Sequence, residues 1–550
     1  MKIFLNFALA AGHYSCQYQI SEIMATKKTY TKKETVLRLE DVLMNCRDIM
    51  RGKAGMTVRR DIILTLVFLK FLDRRFNKRR KEIEEEVEGK PKELRHMLME
   101  KVASYGKAGV AYLAADCRWE HILQLDEPTR ALELDNIVNK LNQDDRLRGA
   151  LPAKIFTDSK IDPKTLKQLA EEIDKIDEQR FHEKDLIGRV YEYFLQAFSI
   201  NADKEEGEFY TPHSIVETIA ALIEPFDGTI YDPCCGSGGM FVQSAKFIEA
   251  HGGNTSKVQV YGQESNPDTY RLAKMNLAIR GISYDLGDQA DSTFTQEKHK
   301  ELKADFIMAN PPFNLKKWRG ADELTNDRRW QGYGLPPVSN ANYAWILHML
   351  YHLNASRGIA GFLLANGALG DPDTLQIRQR LIENDKVEAI IVLPREMFYS
   401  TDISVTLWIL NNNKRGGQWH GRTLRNRTGE VLFVDLRTWN NNLYEKKFVQ
   451  LLPDQVARLV DIYHTWQSPE TKPCEFAKPE LYRAASTNEI STNGWSLVPS
   501  RYIEFVDRDT NLDYNAILSE AADRTRELID RQTKNQEALR SAFAALGFKA

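Results

Sequence analysis

The stretch TIYDPCCGSGGMF, Thr229 to Phe241, runs from an apolar, β-branched segment through a turn of small residues into a helical continuation. Glycines at 236, 238 and 239 let the backbone turn sharply and approach a ligand closely, while the helix that follows offers unpaired N–H groups at its start. A strand ending in such a turn is the opening unit of a doubly wound α/β domain, whose ligands sit at the carboxyl ends of the strands. The spacing is not the dinucleotide G-x-G-x-x-G, and no G-K-[ST] follows for a nucleoside triphosphate.

Toward the C-terminus the pattern repeats. After TIYD (229–232) come VQVYG (258–262), ADFIMAN (304–310), AGFLLAN (360–366), EAIIVLP (388–394) and SVTLWIL (404–410), six candidate strands mostly separated by helical stretches. The fold class is therefore α/β, with a doubly wound, mainly parallel Rossmann-like sheet. Only about nine residues join the last two strands, too few for a helical crossover, which predicts an antiparallel hairpin at that edge of the sheet.

Toward the N-terminus, Thr35 to Phe198 carries apolar residues at helical spacing with little Gly or Pro, as in Ile62, Ile63, Leu66, Val67, Leu69 and Phe71. This predicts an all-helical domain. Its basic run from Lys70 to Arg80, followed by five Glu between 82 and 88, reads better as a solvated, ion-paired helix face than as a DNA-contacting one. Met1 to Ala11 superficially resembles a secretory signal, yet MATKKTYTKKE from Met24 has the look of an ordinary start, so residues 1–23 are read as an upstream extension. The expected organisation is a disordered or misassigned extension over 1–34, a helical domain over 35–198, the sheet domain over 199–480, and a partner-docking helical segment over 481–550. Within the last, Asn515 to Leu546 places Leu518, Leu528, Leu539 and Leu546 on a seam interrupted by Thr525, Gln532 and Asn535, which suits docking on a partner better than a self-contained coiled coil.

Composition narrows the function. The 550 residues hold 75 Lys+Arg against 77 Asp+Glu, a net charge of -2, which excludes a protein that grips nucleic acid by bulk positive charge. Six cysteines without a C-x-x-C pair argue against a disulfide framework and against a metal centre of the zinc-ribbon kind, and fit a reducing, cytoplasmic setting. No run approaches the roughly 18 apolar residues of a membrane span.

Two further constellations complete the chemistry. Glu264, in YGQESNPD at the carboxyl end of the second strand, is placed to accept the hydroxyl hydrogens of a ribose, although alone it would pass for an exposed strand-end acid. Asn310-Pro311-Pro312-Phe313 follows the strand DFIMA. The two prolines remove N–H donors, the Asn amide oxygen and a neighbouring carbonyl can accept both hydrogens of an amine, and the aromatic ring can stack on the ring bearing it; by itself the same tetrapeptide is also a strand-ending turn. Beyond it lie Lys316, Lys317, Trp318, Arg319, Arg328, Arg329 and Trp330, either a phosphate-contacting and stacking surface or a solvated loop, with Tyr343 a possible second stacking ring. Asn411 to Arg427, with Lys414, Arg415, Arg422, Arg425 and Arg427, reads as a polar loop that touches either phosphate or water.

With DPCCGSGG followed by NPPF, and GEFYTPHSIVETIA (207–220) upstream, the chain resembles the modification (M) subunits of type I restriction-modification systems, which are adenine-N6-specific DNA methyltransferases. The likeness extends to PPVSNANYAWILHML (336–350), VLPREMF (392–398) and NGWSLVPSRYIE (493–504); Cys234-Cys235 departs from the small residues common there and is expected to be a packing variant. The resemblance implies S-adenosylmethionine as cofactor, with Glu208, Phe209, Tyr210, Thr211, Pro212 and His213 lining its methionine part. Gly236, Ser237, Gly238 and Gly239 would form the helix-N-terminal turn, with Asp232 near the amino group, Glu264 on the ribose, and Asp291, or in its place Asp288, at the adenine. Asn310, the Pro311 carbonyl and Pro312 would hold a flipped adenine amine, with Phe313 stacked on the base. It further implies double-stranded DNA, a separate specificity (S) subunit, a second copy of the chain in an M2S1 complex, and a restriction (R) subunit as partners. A methyltransferase acting on another planar amine, a protein glutamine or guanine N2 in RNA, is the alternative; an assembly subunit without activity, or a fusion carrying its own recognition domains, fits the intact NPPF loop and the 140 residues after Leu410 less well.

Overall fold

The computed structural model describes residues 39–106, 109–144, 147–176, 190, 193, 211–398, 404–440, 443–444, 448–506 and 513–545. The expectations for 1–34 and for Glu208, Phe209 and Tyr210 lie outside these residues.

The N-terminal region is helical as expected, with α1 (Leu39–Ile49), α2 (Met56–Glu86), α3 (Arg130–Leu141) and α4 (Pro163–Asp174) joined by shorter helices. The middle of α2 is buried all round from Ile62 to Leu69, and with Phe71 it closes a core with Leu166, Leu169 and Ile173 of α4. The basic run of α2 is not a free solvated face. Arg79 pairs with Glu82 and Glu86, Lys70 with Asp174 and Arg80 with Glu100. Arg75 donates to the carbonyls of Ala278 (3.1 Å) and Ile279 (2.9 Å) at the end of a sheet-domain helix, where a cation meets the unsatisfied carbonyls and the negative end of the helix dipole.

The second unit is a ten-stranded sheet. All six expected strands form: β1 (Gly228–Asp232), β2 (Val258–Gly262), β4 (Phe306–Ala309), β5 (Ile359–Ala365), β6 (Val387–Val392) and β7 (Val405–Asn411). The chain adds β3 (Tyr284–Asp285), a small hairpin of β8 (Gly417–Trp419) and β9 (Arg422–Leu424), β10 (Glu430–Asp435), the short pair β11 (Leu443–Tyr444) and β12 (Phe448–Val449), β13 (Ala477–Lys478) and β14 (Tyr482–Ser486). Every residue of β5, β6, β7 and β10 is buried, the signature of strands covered on both faces.

The predicted antiparallel hairpin of β6 and β7 forms, but its place at the edge is corrected. β7 runs antiparallel between β5 and β6, and the sheet continues beyond β6 through parallel β10 to antiparallel β14. The reason is EVLFVD, a short apolar strand hidden behind a charged segment. Beyond residue 480, β14 pairs with β10, and Ile490, Leu497, Tyr502 and Ile503 join the core on one face of the sheet. Helices α5 (His213–Ile223), α6 (Gly239–Ala250), α7 (Pro267–Arg280) and α10 (Pro453–Gln467) contribute to the core on one face, α8 (Asn342–His352) and α9 (Leu375–Glu383) to the core on the other. The opposite side of α7 presents Leu272, Met275 and Ile279 to the helical core, joining the two units. From Tyr514 to Ala545 runs α11, whose Leu518, Leu528, Ile529 and Leu539 are all more than half exposed.

Candidate active site

The order of the strands brings the motifs together. β1 lies between β2 and β4, with Ile230 opposite Phe306 and Tyr231 opposite Ile307. Asp232 at the end of β1 and Asn310 just past β4 therefore emerge side by side at the carboxyl edge, where the strand order reverses and a crevice opens. A pocket here, about 660 Å³ of enclosed and open space, is lined by Thr211, His213, Asp232, Gly236, Ser237, Gly239 and Asn310 among the expected residues. Val216 and Gln243, Met240 and Asn276 also line it. Val216 and Met240 fall inside the quoted stretches 207–220 and 229–241, whereas Gln243 and Asn276 come from helix faces and carry no motif; only their place on helices flanking the glycine turn could have pointed to them.

Gly236 (φ 54°) and Gly238 (φ 80°) adopt left-handed conformations that a side chain would strain, and a Cβ at Gly236 or Gly239 would enter open space, so the turn leaves room against its backbone. Asn276 donates to the Ser237 carbonyl (2.7 Å) and holds the turn from α7. Glu264 does not line this pocket but is bonded to the glycine turn. One carboxylate oxygen accepts from Gly236 N (3.0 Å), the other from Ser265 N (2.7 Å) and Asn266 N (2.9 Å). Asp291 donates its backbone N–H to the Glu264 carbonyl (3.0 Å), while its carboxylate pairs with Lys298 (2.6 Å) and accepts from Gln289 (2.8 Å); Asp288 pairs with the same lysine (2.8 Å) and is exposed.

Asp232 is 1% exposed. Burial pushes its carboxyl up to about 7, against the pull of the Cys234 N–H it accepts at 3.0 Å. Burial likewise drives the thiols of Cys234 and Cys235 well above their usual range, leaving them protonated and poorly reactive, as befits packing.

Asn310 donates from Nδ2 to the Thr211 hydroxyl (2.9 Å), and its Oδ1 is buried without a partner among the described residues. A buried acceptor left open carries a cost of about 1–3 kcal/mol, which an incoming N–H would relieve. Phe313 is half-buried and meets Phe398 edge to face at 6.0 Å.

Residues 182–510 match the family described as N-6 DNA Methylase. The chain belongs to that family. Residues 39–173 match the HsdM N-terminal domain, which accounts for the helical unit. The type I restriction enzyme MjaIX methylase subunit of Methanocaldococcus jannaschii is 32% identical over 531 residues, covering 94% of this chain and 92% of that one. The HindI methylase subunit of Haemophilus influenzae is 42% identical over 322 residues, 58% of this chain and 69% of that one. In fold, the type I methyltransferase subunit of Streptococcus thermophilus superposes with a TM-score of 0.68 at 24% identity, covering 84% of this chain and 98% of that one. The chain is thus an adenine-N6-specific DNA methyltransferase with S-adenosylmethionine as methyl donor. The open glycine turn, the buried acid and the unpartnered Asn310 oxygen are a donor set that fits this family's cofactor and an amine acceptor.

The basic segments resolve differently. Trp318 and Trp330 are buried, Arg319 is spent on backbone carbonyls, and Arg329 pairs with Asp327 while donating to the carbonyls of Thr293 and Phe294. Lys316, Lys317 and Arg328 alone of this group stay at the surface or near it. Tyr343 is not a stacking ring at the site: it is buried and donates to Ala368 O (2.9 Å). In the 411–427 segment Lys414 pairs with Asp385, Arg422 with Glu224, Arg425 with Glu430 and Arg427 with Glu388.

Glu297, His348 and His352 cluster closely enough to suggest a metal site. Hydrogen-bond accounting argues otherwise. Arg329 can only donate, so His348 Nδ1 accepts from it (3.2 Å), leaving Nε2–H to donate to Tyr231 Oη (2.9 Å). His352 is used by the Leu302 carbonyl and by Glu297.

Proposed function

We propose that this chain is the modification subunit of a type I restriction-modification complex, and that it methylates N6 of adenine in a double-stranded DNA site read by a separate specificity subunit. Both relatives are type I methylase subunits, the MjaIX one matching 94% of this chain, and nothing favours a protein or RNA amine as acceptor. A second copy of the chain and a restriction subunit complete the assembly. The exposed apolar residues of α11 suit it to dock on a partner, and the near-neutral charge fits a chain that leaves sequence reading to another subunit. No helix among the described residues is long and apolar enough to cross a membrane, consistent with work in the cytoplasm.

The carrying observation is the buried, unpartnered Oδ1 of Asn310, its amide held by Thr211, beside the glycine turn. Asn310 Oδ1 and the Pro311 carbonyl accept the two hydrogens of the target amine and draw its nitrogen toward tetrahedral geometry, with Pro312 stiffening the loop and Phe313 stacking on the base. Because the amine is inaccessible inside a duplex, the adenine is flipped out. S-adenosylmethionine, when bound, supplies a methyl group already activated on a sulfonium. Catalysis by the chain is then chiefly alignment. Gly236, Ser237, Gly238 and Gly239 with Thr211, Pro212 and His213 would hold the methionine part, Asp232 its amino group, and Glu264 the ribose hydroxyls. Asp291 borders the adenine. The Asn310→Ala variant should lose methyl transfer while keeping cofactor affinity; near-normal turnover would refute the assignment.

A further inference from the structure

The target loop has few means of holding its own shape. Pro311 and Pro312 have no N–H to donate, so the segment is pinned from its ends. One end is Asn310 on Thr211. At the other, Asn314 takes the left-handed conformation (φ 55°), which Asn tolerates better than most residues with a Cβ. Its N–H donates to Asn342 Oδ1 (3.1 Å), and its own Oδ1 accepts from Asn342 Nδ2 (3.0 Å) and Asn340 Nδ2 (3.0 Å). Asn342 N donates to Asn340 Oδ1 (2.9 Å), so three side chains of one type close a ring of mutually compatible donors and acceptors. Asn342 is only 3% exposed and begins α8, a helix packed in the sheet core. Two backbone bonds reinforce the contact, Ala341 N to Leu315 O (2.9 Å) and Lys317 N to Val338 O (3.2 Å).

We propose that Asn314, Asn340 and Asn342 form a clamp that fixes the Pro311–Phe313 loop to the rigid start of α8, making Asn342 and Asn314 positioning residues for methyl transfer; this rests on the reading of Asn310 as the amine-holding group. The clamp touches neither cofactor nor amine. It sets where the Pro311 carbonyl and the Phe313 ring stand when the base arrives, and because displacements of about 1 Å cost up to about a hundredfold in rate, its loss falls on the chemical step.

The test uses the full-length chain in the complex in which it is isolated. Single-turnover methyl transfer, cofactor affinity by calorimetry, and the fluorescence of 2-aminopurine at the target adenine are measured for Asn342→Ala, Asn314→Ala and Asn314→Gly, with Asn310→Ala as control. Asn342→Ala should slow transfer about ten- to a hundredfold and alter the flipped-base fluorescence, with cofactor affinity within about twofold of the parent. Asn314→Gly, which accepts the left-handed backbone but removes the Oδ1 shared by Asn340 and Asn342, should slow transfer as well, and this variant carries the test if Asn342→Ala does not fold. Parent-like transfer by Asn342→Ala beside an inactive Asn310→Ala would overturn the clamp and leave the Asn310 reading intact. An active Asn310→Ala would overturn that reading instead. Parent-like transfer by Asn314→Gly would also overturn the clamp.

Discussion

Asp232 makes cofactor binding a proton-linked event. Its carboxyl, buried at the end of β1, titrates at about 7, whereas the ordinary value is 3.8. If the cofactor's amino group lies against Asp232 as proposed, its positive charge favours the ionised acid, and binding should release whatever proton Asp232 still holds. With a titration point near 7, about a tenth of the free chain is ionised at pH 6 and about three quarters at pH 7.5, so cofactor affinity should rise about eightfold over that window. Calorimetry in buffers of different ionisation enthalpy should find about 0.9 proton released per cofactor at pH 6, falling toward a quarter at pH 7.5. In Asp232→Asn both the slope and the proton release should vanish. A parent chain whose affinity is flat from pH 6 to 7.5, or an Asn variant that keeps the slope, would refute the reasoning. The same acid has a consequence for stability without cofactor. Its folded value lies above its unfolded one, so the benefit of holding it neutral is complete below about pH 4 and is lost as pH rises through about 7. At about 1.4 kcal/mol per pKa unit that is about 4 kcal/mol, and denaturation midpoints of the parent should fall over this range relative to Asp232→Asn.

Thr211→Val keeps the shape of the side chain but leaves Asn310 Nδ2 without its acceptor. The cost of about 1–3 kcal/mol should appear as a roughly five- to hundredfold fall in single-turnover rate, and an unchanged rate would show that the amide needs no such support. Arg427→Met leaves Glu388, which is fully buried, bonded to Gln467 (3.1 Å) but without the cation it meets at 2.9 Å, so urea denaturation should show a loss of about 3–5 kcal/mol. The double variant Glu388→Leu/Arg427→Met should recover most of it, whereas a single-variant loss below about 1 kcal/mol would mean the pair is not holding this part of the sheet.

The parts of the fold legible in the sequence were those written in consecutive residues. Six strands announced themselves as short apolar runs because strands covered on both faces must be apolar throughout, and the motifs stood at their carboxyl ends because that is where the chain leaves the sheet. The hydrogen-bonding inventory of Asn310-Pro311-Pro312-Phe313 was equally a local property. The order of the strands was not. Nothing in the residues of β6 and β7 tells whether their hairpin closes the sheet or lies inside it; that depends on β10 and β14 arriving from 430 and 482.

The charged segments mark the same boundary. Lys414, Arg425 and Arg427 read as candidates for phosphate, yet Lys414 meets Asp385 and Arg427 meets Glu388, 29 and 39 residues away in the chain. A cation's partner is a non-local quantity, fixed by which strands are neighbours, so sequence records the charge and only the fold decides whether it faces a carboxylate or the solvent. The same holds within the site: the sequence by itself determined which atoms could accept an amine, and the tertiary structure alone decided that Thr211 holds one end of the loop and Asn342 the other, because both lie far from it along the chain and are brought to it by the pairing of β1 with β4 and the packing of α8 on the sheet.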